Sequence, residues 1–345
     1  MCWPHFVDLC LTEGSMKRIA LEVMNKSGMF GLARVASARM ARILTYHNFC
    51  GDAETIPGSI SVRALRRQLE YLRESFHVVP LSRLVSQIKA GQPLDSHTVV
   101  LTIDDGRRNC YQYLFPLLLE FRMPATFFVV SSFVEGKSWI WTDKVLWLSS
   151  HQKTFGVRPD RLNAIFAHLM RVSPDARDAQ IEALGLATGV RIPEKAPVPF
   201  APCTWAELRE MADSGLVEIG SHTVSHPIMS TLSEQESWLE VTESRASLER
   251  GLQGRVSAFC FPNGKSGDYH PIHVEQIKAA GYACAVLTRP CMVHEKSDPY
   301  QLPRIGICDR IDPLIFSKYL NGVEYYQARL EGKLGLRAQA HAAAR

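Results

Sequence analysis

The sequence predicts an α/β fold organised around a parallel β-sheet, either a (β/α) barrel or an open α/β sheet. Short apolar runs rich in β-branched residues recur along the chain, and segments with leucines at helical spacing lie between them. The run Thr98–Ile103 is typical of a strand that is buried on both faces of a parallel sheet. The length of 345 residues suits one large barrel or two ordinary domains.

The composition excludes several classes of protein. A hydrophobic share of 46% and a charged share of 21% exclude a disordered, collagen-like or coiled-coil chain. The net charge of +4 is too small to indicate a protein that binds nucleic acid. The chain has no uninterrupted apolar stretch near the roughly 18 residues that a membrane-spanning helix needs.

Cysteine usage and the amino-terminal residues bear on the cellular compartment. The nine cysteines are odd in number and include no CxxC pair, so we expect neither a disulfide framework nor a cysteine-rich zinc site. Scattered single thiols suit a reducing compartment, and the first residues do not form a convincing secretory signal. We therefore expect a cytoplasmic protein, whose translation starts at either Met1 or Met16.

The residues before the first strand predict a basic helix. Residues 16–42 place apolar side chains on one side and lysines and arginines elsewhere. This helix either packs on the body of the protein or lies on an anionic membrane surface, so peripheral membrane contact stays open. We expect a tail and basic helix at residues 1–42, a barrel at 43–318, and a helix and tail at 319–345.

Strands and helices are expected to alternate in the first half of the chain. The helices carry leucines at helical spacing, whereas the strands are short and rich in β-branched residues. Two buried strands joined by one helix form a βαβ unit. The expected elements are a strand at 43–46, a helix at 61–75, a strand at 78–80, a helix at 81–90, a strand at 98–103, a helix at 109–122 and a strand at 125–130.

The alternation is interrupted at about residues 135–200, where tryptophans and a proline-rich stretch predict a helical insertion between barrel units. It resumes at a helix over Thr204–Ser214, for which Thr204 is the N-cap and Glu207 completes a capping box. The elements expected after it are a strand at 217–220, a helix at 233–252, a strand at 256–261, a helix at 272–280 and a strand at 283–286.

Two adjacent carboxylates, Asp104 and Asp105, follow the strand at 98–103. The carboxyl ends of parallel strands are where α/β enzymes place their catalytic groups. Adjacent side chains at a strand end point in different directions, so the two acids can perform different tasks. The alternative is an ordinary Asp-Gly turn in which an aspartate caps the next helix.

Two histidines, His222 and His226, follow the strand at 217–220. At positions i and i+4 of one helical turn they can reach the same metal ion; alternatively they are surface or capping residues. Two neutral imidazoles and one carboxylate leave coordination positions open, which is the pattern of catalytic zinc. Asp104 or Asp105 supplies the carboxylate if the two strands are neighbours.

Two weaker features also follow predicted strands. An apolar strand breaks at Pro262, Asn263 and Gly264, which by themselves indicate only a turn, and His47 is a single histidine at a strand end. The sequence contains no P-loop, no GxGxxG and no GxSxG, so neither nucleotide chemistry nor a serine nucleophile elbow is supported.

Taken together, these motifs resemble those of the polysaccharide deacetylases, carbohydrate esterase family 4, also called the NodB-homology group. Residues 101–106 (LTIDDG) look like the first motif, 221–226 (SHTVSH) match the second, and 259–264 (FCFPNG) are similar to the third. The Thr45–Tyr46–His47 sequence resembles the start of a bacterial exopolysaccharide branch of the family, and 141–144 and 302–305 are similar to later landmarks of it. The likeness runs from about residue 43 to 318.

The resemblance implies a distorted (β/α) barrel, one divalent metal ion, most simply Zn²⁺, and hydrolysis of an N-acetyl group on a hexosamine. Carried over by position, Asp105, His222 and His226 bind the metal ion and Asp104 is the general base. The turn of the third motif, Phe261–Gly264, is the expected substrate and oxyanion site.

Two departures from the family pattern affect the catalytic residues. The arginine that orients the base in many members has no counterpart beside the third motif, at Ala258–Phe259. The C-terminal motif that carries the acid histidine is not evident either, and Val293–His294 matches it poorly. The branch with the Tyr-His start is thought to use its amino-terminal histidine instead, so His47 is the candidate general acid.

We therefore expect a metal-dependent hydrolase that deacetylates an N-acetylated glycan or glycan precursor. Two alternatives remain open at this stage. One is a barrel that binds glycans without catalysis, and the other is an amidohydrolase of a small non-sugar substrate on the same fold.

Overall fold

A computed structural model describes residues 15–54, 56, 58–151, 159–198, 200–308, 311–330 and 332. The tail expected before residue 15 and most of the tail expected after residue 330 lie outside the described residues.

Within the described residues, the fold is built around one sheet of eight parallel strands. Its strand order is β10-β1-β5-β6-β7-β8-β9, and β4 pairs with the first two residues of β5, Thr98 and Val99. A separate pair of short strands, β2 and β3, forms a second small sheet. The strands are β1 (Arg42–Tyr46), β2 (Phe49–Cys50), β3 (Ile60–Ser61), β4 (His77–Val78), β5 (Thr98–Ile103), β6 (Ala125–Val129), β7 (Val217–Ser221), β8 (Ala258–Cys260), β9 (Cys284–Val286) and β10 (Ile305–Gly306).

The sheet curls until its two ends approach each other. A parallel bridge joins Val286 at the end of β9 to Leu302, which lies just before β10. The Leu287 amide donates to the Leu302 carbonyl at 2.8 Å, and the Leu302 amide donates to the Ala285 carbonyl at 3.0 Å. This closure makes the fold a distorted (β/α) barrel, which confirms the expected class and selects it over an open sheet.

Burial on both faces of β5 follows from its position inside the barrel wall. All six of its residues are buried. Val99, Leu101 and Ile103 belong to one apolar cluster, while Val100 belongs to another. Because side chains alternate across a strand, both faces of this strand need apolar residues, and this explains the unbroken run in the sequence.

The helices surround the sheet and follow the expected spacing closely. Thr204 caps its helix as expected: its hydroxyl accepts from the Glu207 amide, and the Glu207 carboxylate accepts from the Thr204 amide. A π-helical segment at Cys110–Leu114 precedes α5. The helices are α1 (Ser15–Lys26), α2 (Met29–Ala36), α3 (Val62–Ser75), α4 (Leu81–Lys89), α5 (Phe115–Phe121), α6 (Ser131–Val134), α7 (Trp141–His151), α8 (Pro159–Leu169), α9 (Pro174–Thr188), α10 (Trp205–Asp213), α11 (Glu234–Leu252), α12 (Pro271–Ala279), α13 (Pro313–Leu320) and α14 (Val323–Leu330).

The single basic helix expected at residues 16–42 is wrong in its extent. The chain forms two helices there, α1 and α2, separated at Gly28, whose φ of 81° is left-handed. Glycine takes this conformation without a steric penalty from Cβ, so it ends α1 and lets the chain change direction. At the other end of the protein, the expected domain boundary at residue 318 falls inside α13.

Between β6 and α10, where the alternation of strands and helices is interrupted, the described residues form four helices. They include α7, α8 and α9, which pack around an apolar cluster of their own, with Trp141, Leu148 and Phe166 among its members. The bounds of the insertion, at about residues 135–200, and those of the other expected domains stay a prediction.

Two other expectations concern membrane-spanning helices and the cysteines. None of the helices in the described ranges is both long and apolar enough to cross a membrane. Six of the described cysteines are free thiols, but Cys308 is disulfide-bonded, so the expectation of single thiols does not hold for that residue.

Candidate metal centre and catalytic site

The two acids of the first motif leave the same strand end in different directions. Asp104 still belongs to the sheet ladder, since its amide donates to the Tyr46 carbonyl at 3.0 Å. Asp105 has a φ of 80° and Gly106 a φ of 86°, so the chain turns sharply at this point. A Cβ on Gly106 would lie 3.0 Å from Val129 Cγ1, and the glycine therefore also allows the close approach of β6. The turn gives each carboxylate its own set of partners.

Asp105 faces both histidines of the second motif. Its Oδ1 lies 3.8 Å from His222 Nε2 and 3.6 Å from His226 Nε2. The two imidazole rings have centroids 4.7 Å apart and are inclined at 77°. All three side chains are buried. The expected carboxylate and imidazoles therefore converge because β5, β6 and β7 are neighbours in the sheet.

The expectation that His222 and His226 share one helical turn is wrong. The chain from 222 to 228 is an irregular loop, in which Thr223 has a φ of 69° and His226 a φ of 58°. Left-handed backbone at two residues other than glycine costs of order 1 kcal/mol or more each, so the surrounding structure must hold the loop in place. The imidazoles converge through this loop geometry and not through helical periodicity.

Glu240 of α11 stabilises this loop. Its carboxylate accepts hydrogen bonds from the backbone amides of Val224 at 2.6 Å and Ser225 at 3.0 Å, and from the Ser225 hydroxyl. On the other side of the loop, the Ser132 amide donates to the Val224 carbonyl at 3.0 Å. These contacts fix the loop from two helices at once.

The orientation of His222 suits metal binding. Its Nδ1 lies 2.9 Å from the Cys260 carbonyl oxygen, so Nδ1 carries the proton and donates, and Nε2 presents its lone pair toward Asp105. Burial, together with the neighbouring His222, lowers the pKa of His226 to about 3. His226 is therefore neutral at physiological pH, as a metal ligand must be.

Two overlapping sets of side chains have the spacing of a metal site among the described residues. In the first, Asp105, His222 and His226, and in the second, Asp104, His222 and Cys260, the ligand atoms lie within 4.8 Å of one another. Two ligands of a tetrahedral Zn²⁺ are about 3.4 Å apart. The first set fits better because Arg304 engages both oxygens of Asp104, whereas Arg107 lies against only one oxygen of Asp105. In addition, burial raises the pKa of the Cys260 thiol.

The partner of Asp104 is Arg304, which sequence reasoning did not assign to the site. Arg304 Nη1 lies 2.7 Å from Asp104 Oδ1, and Nη2 lies 2.7 Å from Oδ2. Arg304 is fully buried. Burial alone would raise the pKa of Asp104, but the facing guanidinium outweighs it and holds that pKa well below its usual range. The carboxylate is therefore ionised, and the pair stabilises the fold, at any pH above the ordinary aspartate pKa of about 3.9.

Arg304 contacts the acid that the missing third-motif arginine was expected to orient. It precedes β10, the strand that pairs with β1, and it reaches Asp104 across the end of the barrel. The signal in the sequence is an arginine inside the apolar segment Leu302–Ile305, where a charge must find a buried partner. Nothing in the sequence says that this partner is Asp104.

A second buried arginine, Arg107, lies behind the candidate ligand Asp105. Its Nη2 is 3.0 Å from Asp105 Oδ2 and 2.8 Å from Asp143 Oδ1. Asp143 belongs to α7, so the helical segment between β6 and α10 contributes directly to the site. Burial raises the pKa of Asp143 to about 7, with Arg107 opposing and Asp105 adding to the rise. The same helix donates a hydrogen bond from Trp141 Nε1 to the His226 carbonyl at 3.1 Å.

His47 lies on the exposed side of the same site. Its Nε2 is 3.8 Å from Asp104 Oδ2, and its side chain is 17% exposed, whereas the side chain of Asp104 is 3% exposed. Burial lowers the pKa of His47, and the negative charges of Asp104 and Asp105 oppose that change. The imidazole is therefore neutral in the free protein at neutral pH.

The turn of the third motif follows β8 next to His222. Phe261 is buried and packs on Tyr269, so its side chain contributes to the core. Asn263 is left-handed at a φ of 58°, and its side-chain amide donates to Asp268 Oδ2 at 2.6 Å. The Gly264 amide donates to the Pro262 carbonyl at 2.6 Å. These bonds engage the Asn263 side chain within the turn and leave its backbone N–H as the candidate oxyanion donor.

Comparison with known proteins finds a family match over much of the chain. Residues 91–285, more than half of the chain, match the family model described as polysaccharide deacetylase. The poly-beta-1,6-N-acetyl-D-glucosamine N-deacetylase of Escherichia coli K12 is 29% identical over 166 residues. That match covers 48% of this chain and 18% of the E. coli protein, so the chain spans less than a fifth of the relative's length.

Solved structures show the same fold. A deacetylase of Streptococcus pyogenes, PplD, in complex with acetate superposes with a TM-score of 0.58 at 16% identity, over 82% of this chain and 99% of that one. IcaB of Ammonifex degensii superposes with a TM-score of 0.55 at 18% identity, over 82% of this chain and 97% of that one. Both support the distorted barrel.

The ligand set predicts which substitutions remove a metal ion. We expect purified protein to hold about one divalent metal ion per chain, and the His222→Ala and His226→Ala variants to lose it, because each removes an imidazole that faces Asp105. Elemental analysis after dialysis measures the content. His168→Ala serves as the control, since this residue is exposed on α8 and bonds to Gln180. Unchanged metal content in both site variants would show that the ion binds elsewhere.

The buried ion pair predicts a coupled effect on stability. Arg304→Met leaves the Asp104 carboxylate buried without its partner and should lower the free energy of unfolding by about 3–5 kcal/mol. The same substitution in an Asp104→Asn background should cost less, because no charge is left uncompensated. Denaturant unfolding of the four proteins in this double-mutant cycle measures the difference, and equal costs in both backgrounds would contradict the assigned pairing.

Proposed function

The chain belongs to the polysaccharide deacetylase family, and we propose that it is a metal-dependent hydrolase of N-acetyl groups on a hexosamine-containing glycan or glycan precursor. One observation carries the proposal. The adjacent acids have different partners: Asp105 faces two imidazoles, and Asp104 is held by a buried arginine. One acid is thus arranged to hold a metal ion and the other to handle a proton.

The metal ligands in this proposal are Asp105, His222 and His226. Three protein ligands leave a position open for water or substrate, which separates a catalytic metal site from a closed structural one. A divalent ion bound there, most simply Zn²⁺, would lower the pKa of a water molecule and polarise the acetyl carbonyl. Arg107, which donates a hydrogen bond to Asp143, lies 3.0 Å from the second oxygen of Asp105, and the first oxygen faces the histidines.

Asp104 is the general base in this proposal. The Arg304 guanidinium keeps the Asp104 carboxylate ionised and contacts both of its oxygens, so its orientation is fixed before substrate arrives. A base of low pKa accepts a proton only from a strongly acidified water, which is consistent with a metal ion at the neighbouring Asp105. The two adjacent acids therefore depend on each other.

His47 is the proposed general acid. An amine leaves an amide-derived intermediate readily only after protonation, so the site needs a proton donor near the base. His47 Nε2 lies 3.8 Å from the oxygen of Asp104 that would take the proton from water. The neutral imidazole is able to receive that proton and pass it to the leaving nitrogen. Its partial exposure puts it on the side from which a glycan would approach.

The turn Phe261–Gly264 has a supporting role in this proposal. The backbone N–H of Asn263 would donate to the oxygen of the acetyl group as negative charge develops on it. The left-handed conformation of Asn263 and the bond from its side chain to Asp268 hold that N–H in place.

The substrate class rests on the family and on the name of the E. coli relative. That protein is a poly-beta-1,6-N-acetyl-D-glucosamine N-deacetylase. We propose an N-acetylated hexosamine polymer of the exopolysaccharide kind as the substrate. Because Asp104, Asp105, His222 and His226 are all present, we prefer an enzyme over a barrel that only binds glycans.

The proposed reaction predicts release of acetate from an N-acetylglucosamine oligosaccharide by the metal-loaded protein. Asp104→Asn should reduce turnover by about 10²–10⁴-fold while metal content is retained, because the amide cannot accept the proton. Acetate release and free-amine labelling measure the reaction, and elemental analysis measures the metal ion. Full activity of Asp104→Asn would exclude the assigned base. Release of acetate from a small non-sugar amide but from no sugar would favour the amidohydrolase alternative.

The proposed role of His47 predicts a dependence on the leaving group. His47→Gln should strongly slow hydrolysis of an acetamide, whose amine must be protonated, and barely slow an activated aryl acetate, whose phenolate leaves unaided. Metal content should not change, which distinguishes this role from a ligand. His294→Gln is the matched control, because His294 is the other candidate acid in the sequence. Equal slowing of both substrates by His47→Gln would mean that His47 is structural.

A further inference from the structure

The amino-terminal helices α1 and α2 carry more apolar surface than their packing uses. Their inner side packs on the body, where Leu21 and Phe30 are buried in a cluster with Val323 of α14. A surface helix normally needs one apolar stripe for such packing. The sequence of α2, MFGLARVA, is apolar on nearly all sides.

The second apolar stripe faces outward. Five large apolar side chains on the two helices are exposed, which is a dense grouping for a stretch this short. Ile19 and Val23 are one turn apart on α1, and Met29, Leu32 and Val35 follow at helical spacing on α2. Their exposed fractions are 61% for Ile19, 60% for Val23, 47% for Met29, 71% for Leu32 and 70% for Val35.

The segment that carries this stripe is basic, although one of its cations, Arg42, is buried in β1. Residues 15–42 contain six basic residues and one acid, a net charge of +5, whereas the whole chain carries +4, so the rest of the chain carries −1. The acid, Glu22, is already paired with Arg18. Lys26, Arg34 and Arg39 form no ion pair within the described part of the chain. The cations are therefore available to an external anion.

We propose that the outward stripe of α1 and α2 docks the protein on an anionic lipid surface. Apolar side chains flanked by lysine and arginine are the combination that holds a helix in the interface of a bilayer. A second copy of the chain is a poorer occupant, because a two-fold contact between identical patches would bring their cations together. An anionic lipid surface neutralises the cations and accepts the apolar side chains at once.

The position of the stripe makes such docking compatible with the proposed reaction. The two helices lead into the amino-terminal end of β1 at Arg42, and the His97 amide just before β5 donates to the Ala38 carbonyl at 2.7 Å. His47 and Asp104 follow the opposite ends of these strands. Five or six residues of strand at about 3.3 Å each put roughly 17–20 Å between the two ends. A docked protein would turn its catalytic end toward the aqueous phase.

The test is sedimentation of the 345-residue chain with lipid vesicles. We expect it to bind vesicles of phosphatidylcholine with about 30% phosphatidylglycerol more strongly than pure phosphatidylcholine, and to bind less at about 0.5 M salt. The Leu32→Ser/Val35→Ser double variant should lose about tenfold or more in partition coefficient. Leu186→Ser, which alters a side chain that is 86% exposed on α9, should bind as the wild type does.

Several outcomes would overturn the proposal. One is that the wild-type protein stays in the supernatant in the presence of anionic vesicles. Another is that the double variant binds these vesicles as strongly as the wild type. The stripe is an interface between copies if neither the wild type nor the double variant binds vesicles and light scattering shows that the wild type is oligomeric whereas the double variant is monomeric. Thermal unfolding checks the fold of each variant, and Val35→Ser alone replaces the double variant if the latter is unfolded. Vesicle binding does not require deacetylation, so the two proposals fail independently.

Discussion

The ion pair between Arg304 and Asp104 links the closure of the barrel to the chemistry of its carboxyl end. Arg304 lies between the Val286–Leu302 bridge and β10, so it is placed by the last steps of barrel closure. From there it also donates to the Leu287 carbonyl and to the Thr102 hydroxyl. One buried guanidinium therefore connects strand ends that are far apart in sequence and keeps the proposed base ionised in an apolar environment.

A buried charge is stable only when a group of opposite charge and hydrogen-bond partners are present. Desolvating an unpaired carboxylate is expensive, and the facing guanidinium compensates for it through two short hydrogen bonds. The arrangement behind Asp105 follows the same logic, with Arg107 shared between Asp105 and Asp143. Each acid of the pair thus has its own arginine, and the two arginines come from different parts of the chain. This separation allows adjacent carboxylates to differ in function.

The helical segment between β6 and α10 is part of the site and not only an addition to the barrel. It contributes Asp143, and through Trp141 it bonds to the backbone of His226. The loop that carries His222 and His226 is left-handed at two residues and would not keep that shape unaided. Contacts from this segment on one side and from Glu240 on the other hold it. The opposite end of the sheet carries the amphipathic helices, so chemistry and proposed docking are separated by the length of the strands.

The sequence by itself determined the fold class, most of the strands and helices, and the main candidates for the metal site. Periodicity and the apolar run Thr98–Ile103 are local signals, and parallel strands bring their carboxyl ends to one edge whatever connects them. That rule was enough to bring Asp105 together with His222 and His226. The capping box at Thr204 and Glu207 is equally local and was predicted to the residue.

Tertiary structure alone decided the contacts between residues that are far apart in the sequence. The pairing of Arg304 with Asp104 spans 200 residues, and no periodicity relates the two. The irregular loop of His222 and His226 replaced the expected helical turn because contacts from Glu240 and Ser132 outweigh helix propensity there. Whether the apolar sides of α1 and α2 are packed or exposed also depends on what the rest of the chain places against them. Local sequence sets which side chains are available, and long-range packing decides which of them meet.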